Sequence, residues 1–141
     1  MKTYVNGFLF SPDGSKVVLI RKNRPKWQVG RLNGVGGHVE PDETPAAAMR
    51  REFEEETGLD VGTWAWRLSL VSDSWVVQFF AAFSHSYNLV RATTDEEVGI
   101  YDVDALYALP VIPNLWWLVP LCRDTDVLPS TIFDTSTVGG D

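Results

Sequence analysis

Apolar residues fall into short runs separated by turn chemistry, and their period changes along the chain. Apolar runs at 4–10 and 17–20 flank Ser11-Pro12-Asp13-Gly14-Ser15, whose Pro-Asp-Gly core favours a turn, so Thr3 to Lys22 reads as a β-hairpin. Asn23 to Asn33 follows as a loop with basic residues around Pro25, then Trp27, and runs into Gly34-Val35-Gly36-Gly37, where backbone should come close to a neighbour. From Thr44 the period becomes helical. Thr44 is a good N-cap, Pro45 suits the first helical position, Ala46 to Ala48 are strong helix formers, and Gly58 offers a left-handed stop. Trp64 to Val71 and Trp75 to Phe83 return to strand character and read as two neighbouring strands, separated by polar residues around Asp73 and Ser74. The second run is apolar on both faces apart from Gln78, the pattern of a strand covered on both sides. A short strand across Val98 to Val103 and a helix across Pro113 to Arg123 complete the pattern. The expected fold is α/β, a central mixed β-sheet sandwiched between helices.

At 141 residues the chain reads as one domain, 1–141, with the polar, glycine-ended stretch 130–141 expected to be a flexible tail. A hydrophobic content of 45 % with 17 aromatic residues excludes general disorder. The net charge of −7 argues against nucleic-acid or anionic-membrane partners, since Arg21, Lys22, Arg24, Lys26 and Arg31 form the only basic cluster. The one cysteine, Cys122, cannot make an internal disulfide and reads as a small buried hydrophobe in a reducing cytoplasm. The N-terminal residues lack a signal-peptide core, and the run from Leu115 to Cys122 is too short to span a bilayer. A cytoplasmic protein is expected; the sequence leaves its oligomeric state open.

The 44–58 helix carries the candidate chemistry. At about 100° per residue, Glu52, Glu55 and Glu56 share one face, Ala46, Met49 and Phe53 form a separate apolar stripe, and Glu54 points elsewhere. Ion pairs Arg50–Glu54 and Arg51–Glu55 at i,i+4 would be worth only about 0.2–0.5 kcal/mol each, and like charges at the same spacing cost as much. Converging carboxylates are better explained by a hard divalent cation, which needs several oxygen ligands. His38 and His85 lie far apart with no partner at metal-ligand spacing, so zinc is not expected.

From Gly37 five residues lead to Glu43, seven more to Arg51-Glu52-Phe53, one to Glu55-Glu56, and one to Gly58-Leu59. This spacing resembles the complete signature of the Nudix hydrolases, and the order of flanking strands is also similar to theirs over most of the chain. Asp42 stands where many members have glycine, at a position the pattern leaves free. The resemblance implies a Nudix-type α/β/α sandwich that hydrolyses a nucleoside diphosphate linked to another group and uses Mg²⁺, with Mn²⁺ as a substitute. It further implies that Glu52, Glu55 and Glu56 bind metal, that Gly37 contributes its carbonyl, that Arg51 orients a carboxylate, and that Glu43 is a support. A loop glutamate often serves the family as base or further ligand; of Glu96 and Glu97, Glu97 is favoured.

The chain has no proline between Pro45 and Pro110, and its first tyrosine past the signature is Tyr87, so the extra signatures of the ADP-ribose, NADH and dinucleoside polyphosphate subgroups are missing. Other positions resemble the MutT-like triphosphatases. Trp27 and Asn33 match a pocket aromatic and a base-reading asparagine, Asn114 after Pro113 matches a second such asparagine, and Arg21 at a strand end suits phosphate. Asn33 before Gly34 is also ordinary turn chemistry, and Trp116 and Trp117 fit a helix core. Asn114-Leu115 stand where the mammalian member has an acidic pair, which weakens any expectation of an oxidised guanine. The resemblance therefore implies a nucleoside triphosphate, with a modified or oxidised purine nucleotide among the candidates, cleaved to monophosphate and pyrophosphate. The alternatives are another nucleoside diphosphate derivative such as ADP-ribose, or a module that senses nucleotide without cleaving it.

Overall fold

The computed structural model describes residues 1–134. Its eight strands are β1 (Lys2–Phe10), β2 (Lys16–Arg21), β3 (Leu32–Asn33), β4 (Val35–His38), β5 (Ala65–Val71), β6 (Trp75–Phe83), β7 (Val98–Asp102) and β8 (Ser130–Phe133). They form one mixed sheet in the order β3-β2-β1-β6-β5-β8, with β4 also on β1 and β7 also on β2. Two α-helices, α1 (Pro45–Thr57) and α2 (Leu115–Arg123), cover it.

Strand alternation divides the core into two layers. Phe8, Phe10, Val17, Leu19, Phe79 and Ala81 face α2, whose Leu115, Leu118, Val119 and Cys122 join them. Val5, Leu9, Val18, Ile20, Phe80 and Ala82 face the other way, onto Ala48, Met49 and Phe53 of α1. Consecutive burial along Phe79–Ala82 is the two-sided cover expected of β6. The result is the α/β/α sandwich read from the sequence.

The hairpin is closed only near its turn: β1 meets β2 at Phe10↔Val17. Farther back, β1 is occupied by β4 from Tyr4 to Gly7 and the same edge of β2 by β3 at Ile20 and Arg21, while β7 lines the opposite edge of β2 from Lys16 to Ile20. The other edge of β1 runs parallel to β6 from Lys2↔Trp75 to Phe10↔Phe83. Strands β5 and β6 are antiparallel neighbours with an irregularity at Trp66/Leu68.

Three expectations change. Ala46 lies in the first turn of α1 and is exposed, so the apolar stripe is Met49, Phe53 and Thr57 with Ala48 on its flank. Trp116 and Trp117 are exposed, because α2 turns a single face to the sheet and Leu115, Leu118, Val119 and Cys122 fill it. The tail expected from residue 130 begins as a strand: Ser130–Phe133 pairs parallel with Leu68–Val71 of β5, a use suited to β-branched Thr131 and Ile132 and to Phe133. Residues 135–141 of that expected tail lie outside the described residues. No helix of the described residues is long and apolar enough to cross a membrane.

Candidate active site

Helix α1 is set by its ends. The Thr44 hydroxyl accepts from Ala47 N–H at 3.1 Å, and Gly58 closes the last turn with φ 74° and its N–H on the Glu54 carbonyl. Met49 and Phe53 are fully buried, each worth about 1.5–3 kcal/mol, which fixes the helix's rotation and leaves Glu52, Glu55 and Glu56 on its free face.

Arg51 organises one half of that face. Its Nε and Nη2 donate to Glu43 at 2.9 and 2.6 Å, and Nη2 also donates to the His38 carbonyl at 3.0 Å. Its Nη1 donates to Glu52 at 3.0 Å and to Glu55 at 3.3 Å. The bidentate bond to Arg51, aided by the Glu40 N–H, holds the Glu43 carboxyl down at about 2, so this pair stays ionised. Glu43 is thus tied to Arg51 rather than to the carboxylate face. Arg50 does not pair with Glu54; the chain reversal after Gly58 brings back Asp60, which takes Arg50 in two bonds of 2.7 and 2.8 Å.

Gly37, on β4, faces the same group. A Cβ there would stand 2.5 Å from the Glu52 carboxyl, so the glycine is what lets Glu52 lie against the strand. Burial raises the pKa of Glu52, with Arg51 opposing, and burial likewise raises that of Glu56, with a Thr94 hydrogen bond opposing.

Glu56 looks to the loop that precedes β7. Thr94 Oγ1 donates to its carboxylate at 3.2 Å, and the loop also caps the helix: Arg91 N–H donates to the Thr57 carbonyl at 3.0 Å, Thr93 N–H to the Glu56 carbonyl at 3.4 Å, and the Thr93 hydroxyl to the Glu55 carbonyl. Beyond it, Glu96 and Glu97 part company. Glu96, with a side chain only 3 % exposed, accepts from Lys22 Nζ at 3.1 Å and from Asn23 N–H at 2.5 Å. Glu97 is 82 % exposed and reaches only Arg21, at 3.6 Å. Strand alternation held this signal, since Glu96 is two residues before Val98, which packs on the α1 side of the core.

Among the described residues no three His, Cys, Asp or Glu side chains converge into a ready cation site. Glu52 and Glu55 turn to Arg51, and Glu56 turns to Thr94. The donor set still suits a hard divalent cation: three carboxylates share a helix face, two of them are driven by burial toward the neutral form, and Gly37, lacking a Cβ, lets the Glu52 carboxyl lie against the strand.

The expected substrate residues group at the far side of β2 and β3. Trp27 sits on a short 3-10 turn, Lys26–Gln28, 65 % exposed. The adjacent Gln28 Oε1 accepts from Asn33 Nδ2 at 3.0 Å. Strand β3 lies parallel to residues 110–112 through Leu32↔Val111, which brings Asn33 alongside the segment that leads to Asn114. Asn114 precedes α2, exposed and with no capping bond from its side chain. Arg21 Nη1 donates to the Gly30 carbonyl at 2.8 Å, holding the loop's return. His38 is exposed beside Tyr4, and His85 is exposed on a separate turn. The sequence reading passed over Asn6, Gln28, Thr93 and Thr94, whose parts depend on contacts between distant segments.

A conserved-domain profile agrees with this architecture. The profile of the NUDIX domain matches residues 2–117. The chain therefore belongs to the NUDIX family. Among curated proteins it is similar to the human "NAD-capped RNA hydrolase NUDT12", 45 % identical over 51 residues that make up 36 % of this chain and 11 % of that protein. The match thus spans about a tenth of that relative. Among solved structures, a MutT protein from a study of Aliivibrio salmonicida and Vibrio cholerae superposes with TM-score 0.73 at 23 % identity, covering 86 % of this chain and 96 % of the other. The NUDIX domain of Shewanella oneidensis NrtR, complexed with ADP ribose, gives TM-score 0.75 at 19 % identity over 89 % of this chain and 88 % of that one. An ADP-ribose pyrophosphatase from Streptococcus suis gives 0.69 at 20 % identity, covering 94 % and 98 %.

Proposed function

We propose that this chain is a Mg²⁺-dependent pyrophosphohydrolase that cleaves a purine nucleoside triphosphate, plain or modified, to the monophosphate and pyrophosphate. Mn²⁺ would substitute. The observation that carries this reading is the carboxylate face of α1, with Glu52 fitted against Gly37 and held, like Glu55, by an Arg51 that Glu43 anchors.

Glu52, Glu55, Glu56 and the Gly37 carbonyl would hold the cation, whose chemistry is to neutralise phosphate oxygens and acidify water. Arg51 is a positioning residue: it keeps two carboxylates oriented. Water adds to phosphorus, the anhydride P–O bond breaks, and pyrophosphate leaves with that bridging oxygen. Glu97 takes the water's proton. Glu96 is already committed to Lys22 and Asn23, whereas Glu97 is exposed and only loosely paired, so Glu97 is the loop carboxylate free to act as base or further ligand. Trp27 would stack on the base, Asn33 and Asn114 would meet its polar edge, and Arg21 would meet phosphate. The partner is thus a small-molecule nucleotide. The charge of −7 supports neither nucleic acid nor anionic membrane as a partner, and the lone buried Cys122 suits a cytoplasmic location.

A turnover panel tests the reading: purine and pyrimidine triphosphates, ADP-ribose and NAD⁺, each with Mg²⁺, with products resolved by anion exchange. Monophosphate and pyrophosphate from a purine triphosphate is the expected result. Diphosphate and orthophosphate as sole primary products would refute the bond assignment. Preferential cleavage of ADP-ribose would replace the triphosphate reading, and binding without cleavage of anything would make the chain a nucleotide sensor.

A further inference from the structure

The three carboxylates on the free face of α1 are not held alike. Glu52 and Glu55 share the Arg51 guanidinium, at 3.0 and 3.3 Å. Glu56 has no such ion pair: among the described residues its carboxylate is met by a single side-chain donor, Thr94 Oγ1, at 3.2 Å. The main chain fixes the direction of that bond. Glu96 N–H donates to the same Thr94 oxygen at 3.2 Å, and an N–H can only donate, so the hydroxyl is left to point its own hydrogen at Glu56. Thr94 is in turn held from both sides. Before it, Thr93 N–H donates to the Glu56 carbonyl and the Thr93 hydroxyl to the Glu55 carbonyl; after it, Glu96 is clasped by Lys22 and Asn23. A carboxylate offers about four acceptor positions, of which Thr94 takes one on Oε2, so the Oε1 side stays free.

We infer that Thr94 is a positioning residue for the cation site: its hydroxyl, set by the Glu96 N–H, holds one oxygen of Glu56 so that the other is presented to a divalent cation. The inference rests on the cation-dependent reading proposed above and adds to it a residue from outside the signature helix. A ligating carboxylate that is free to turn must be ordered when the cation arrives, whereas one already hydrogen-bonded is not. Partners that orient a ligand in this way are worth about 10–100-fold in metal affinity. Glu52 and Glu55 have Arg51 for the purpose, and Glu56 has Thr94.

The test uses the whole chain without nucleotide and reads Mn²⁺ binding from the loss of the free-ion signal in electron paramagnetic resonance. Thr94 is exposed, so Thr94→Val keeps the branched shape without touching the core and removes only the hydroxyl; it should weaken Mn²⁺ binding by about 10–100-fold. Thr94→Ser restores a hydroxyl and should recover most of that loss. Thr93→Val removes the neighbouring hydroxyl, which reaches a helix carbonyl and no carboxylate, and should leave the affinity unchanged. Circular dichroism checks that each variant is folded. In turnover, the half-activating Mg²⁺ concentration of Thr94→Val should rise by the same factor as its Mn²⁺ dissociation constant. Tighter Mn²⁺ binding by Thr94→Val would show that Thr94 draws Glu56 away from the cation, and equal weakening in Thr93→Val would show that the order of the loop matters rather than this hydroxyl; either overturns the inference. Unchanged binding by a folded Thr94→Val protein, beside a wild type that binds Mn²⁺, sinks this inference alone. A wild type that binds no Mn²⁺ also overturns it, and if turnover then proceeds in EDTA the cation-dependent reading falls with it.

Discussion

Replacing Gly37 by alanine probes the Glu52 position with a single carbon. Gly37 is not among the glycines with positive φ, so alanine suits its backbone, and the new methyl meets only the carboxyl group of Glu52 among its nearest neighbours, with all three atoms at 2.5–2.6 Å. Ordinary contact begins near 3.4 Å, so the carboxylate must retreat by about 1 Å. A misplacement of about 1 Å in a catalytic constellation costs about 10²-fold in rate, or about 2.7 kcal/mol of transition-state stabilisation. Stability should respond differently. A tolerated Gly→Ala change gains about 0.4–1 kcal/mol through the unfolded chain, which offsets part of the cost of moving a flexible side chain. Tm should stay within about 4 °C of wild type while kcat for pyrophosphate release falls about a hundredfold. Scanning fluorimetry and initial rates in Mg²⁺ supply both numbers. An unchanged kcat in a folded Gly37→Ala protein would refute the placement of Glu52 in the machinery; a collapse in Tm would show that the glycine serves the strand instead.

Glu55→Gln and Glu56→Gln keep shape and remove charge, so kcat should fall by orders of magnitude with circular dichroism unchanged, and full turnover in EDTA would refute the role given to the cation. Asn33→Ala should lower kcat/KM for the best purine nucleotide by about 1–3 kcal/mol while a poor pyrimidine substrate changes little; equal losses across substrates would make Asn33 a turn residue only. Cys122 is fully buried, and burial pushes its thiol up to about 12, so a disulfide reagent at pH 8 should leave it unmodified until denaturant is added. Rapid modification of the native protein would contradict the packing of α2.

Local pattern and cap chemistry carried much of the fold. The run at 75–83, apolar on both faces, marked a strand covered on both sides, and Thr44, Pro45 and Gly58 marked both ends of α1. Partners across the sheet were not legible, because β1 lying parallel to β6 joins residues far apart in sequence, and an apolar strand does not specify which edge it will meet. The strand at 130–133 was hidden for a related reason: its polar flanks resemble a tail until the open edge of β5 is known. At the site, the signature's spacing named the carboxylates, but not that Asp60 would take Arg50 or that Glu96 would turn inward. Asn33 has the turn role that its place before Gly34 suggested, its oxygen accepting from the Gly34 N–H, while its nitrogen donates to Gln28, a partner no local pattern named.

The loop that caps α1 ties two motions together. Carbonyls of Glu55, Glu56 and Thr57, which a free helix end would expose to water, are bonded instead to Arg91 and Thr93. The same loop continues to Asp95, which pairs with Arg24 at 2.7 Å, and to Glu96, clasped by Lys22 and Asn23. Lifting this loop would therefore strip the last turn of α1 and release the segment that bears Trp27 in the same event. Amides from these three stretches should exchange with solvent as one cooperative unit, so that a nucleotide held by the Trp27 segment would slow exchange at the helix end it never touches.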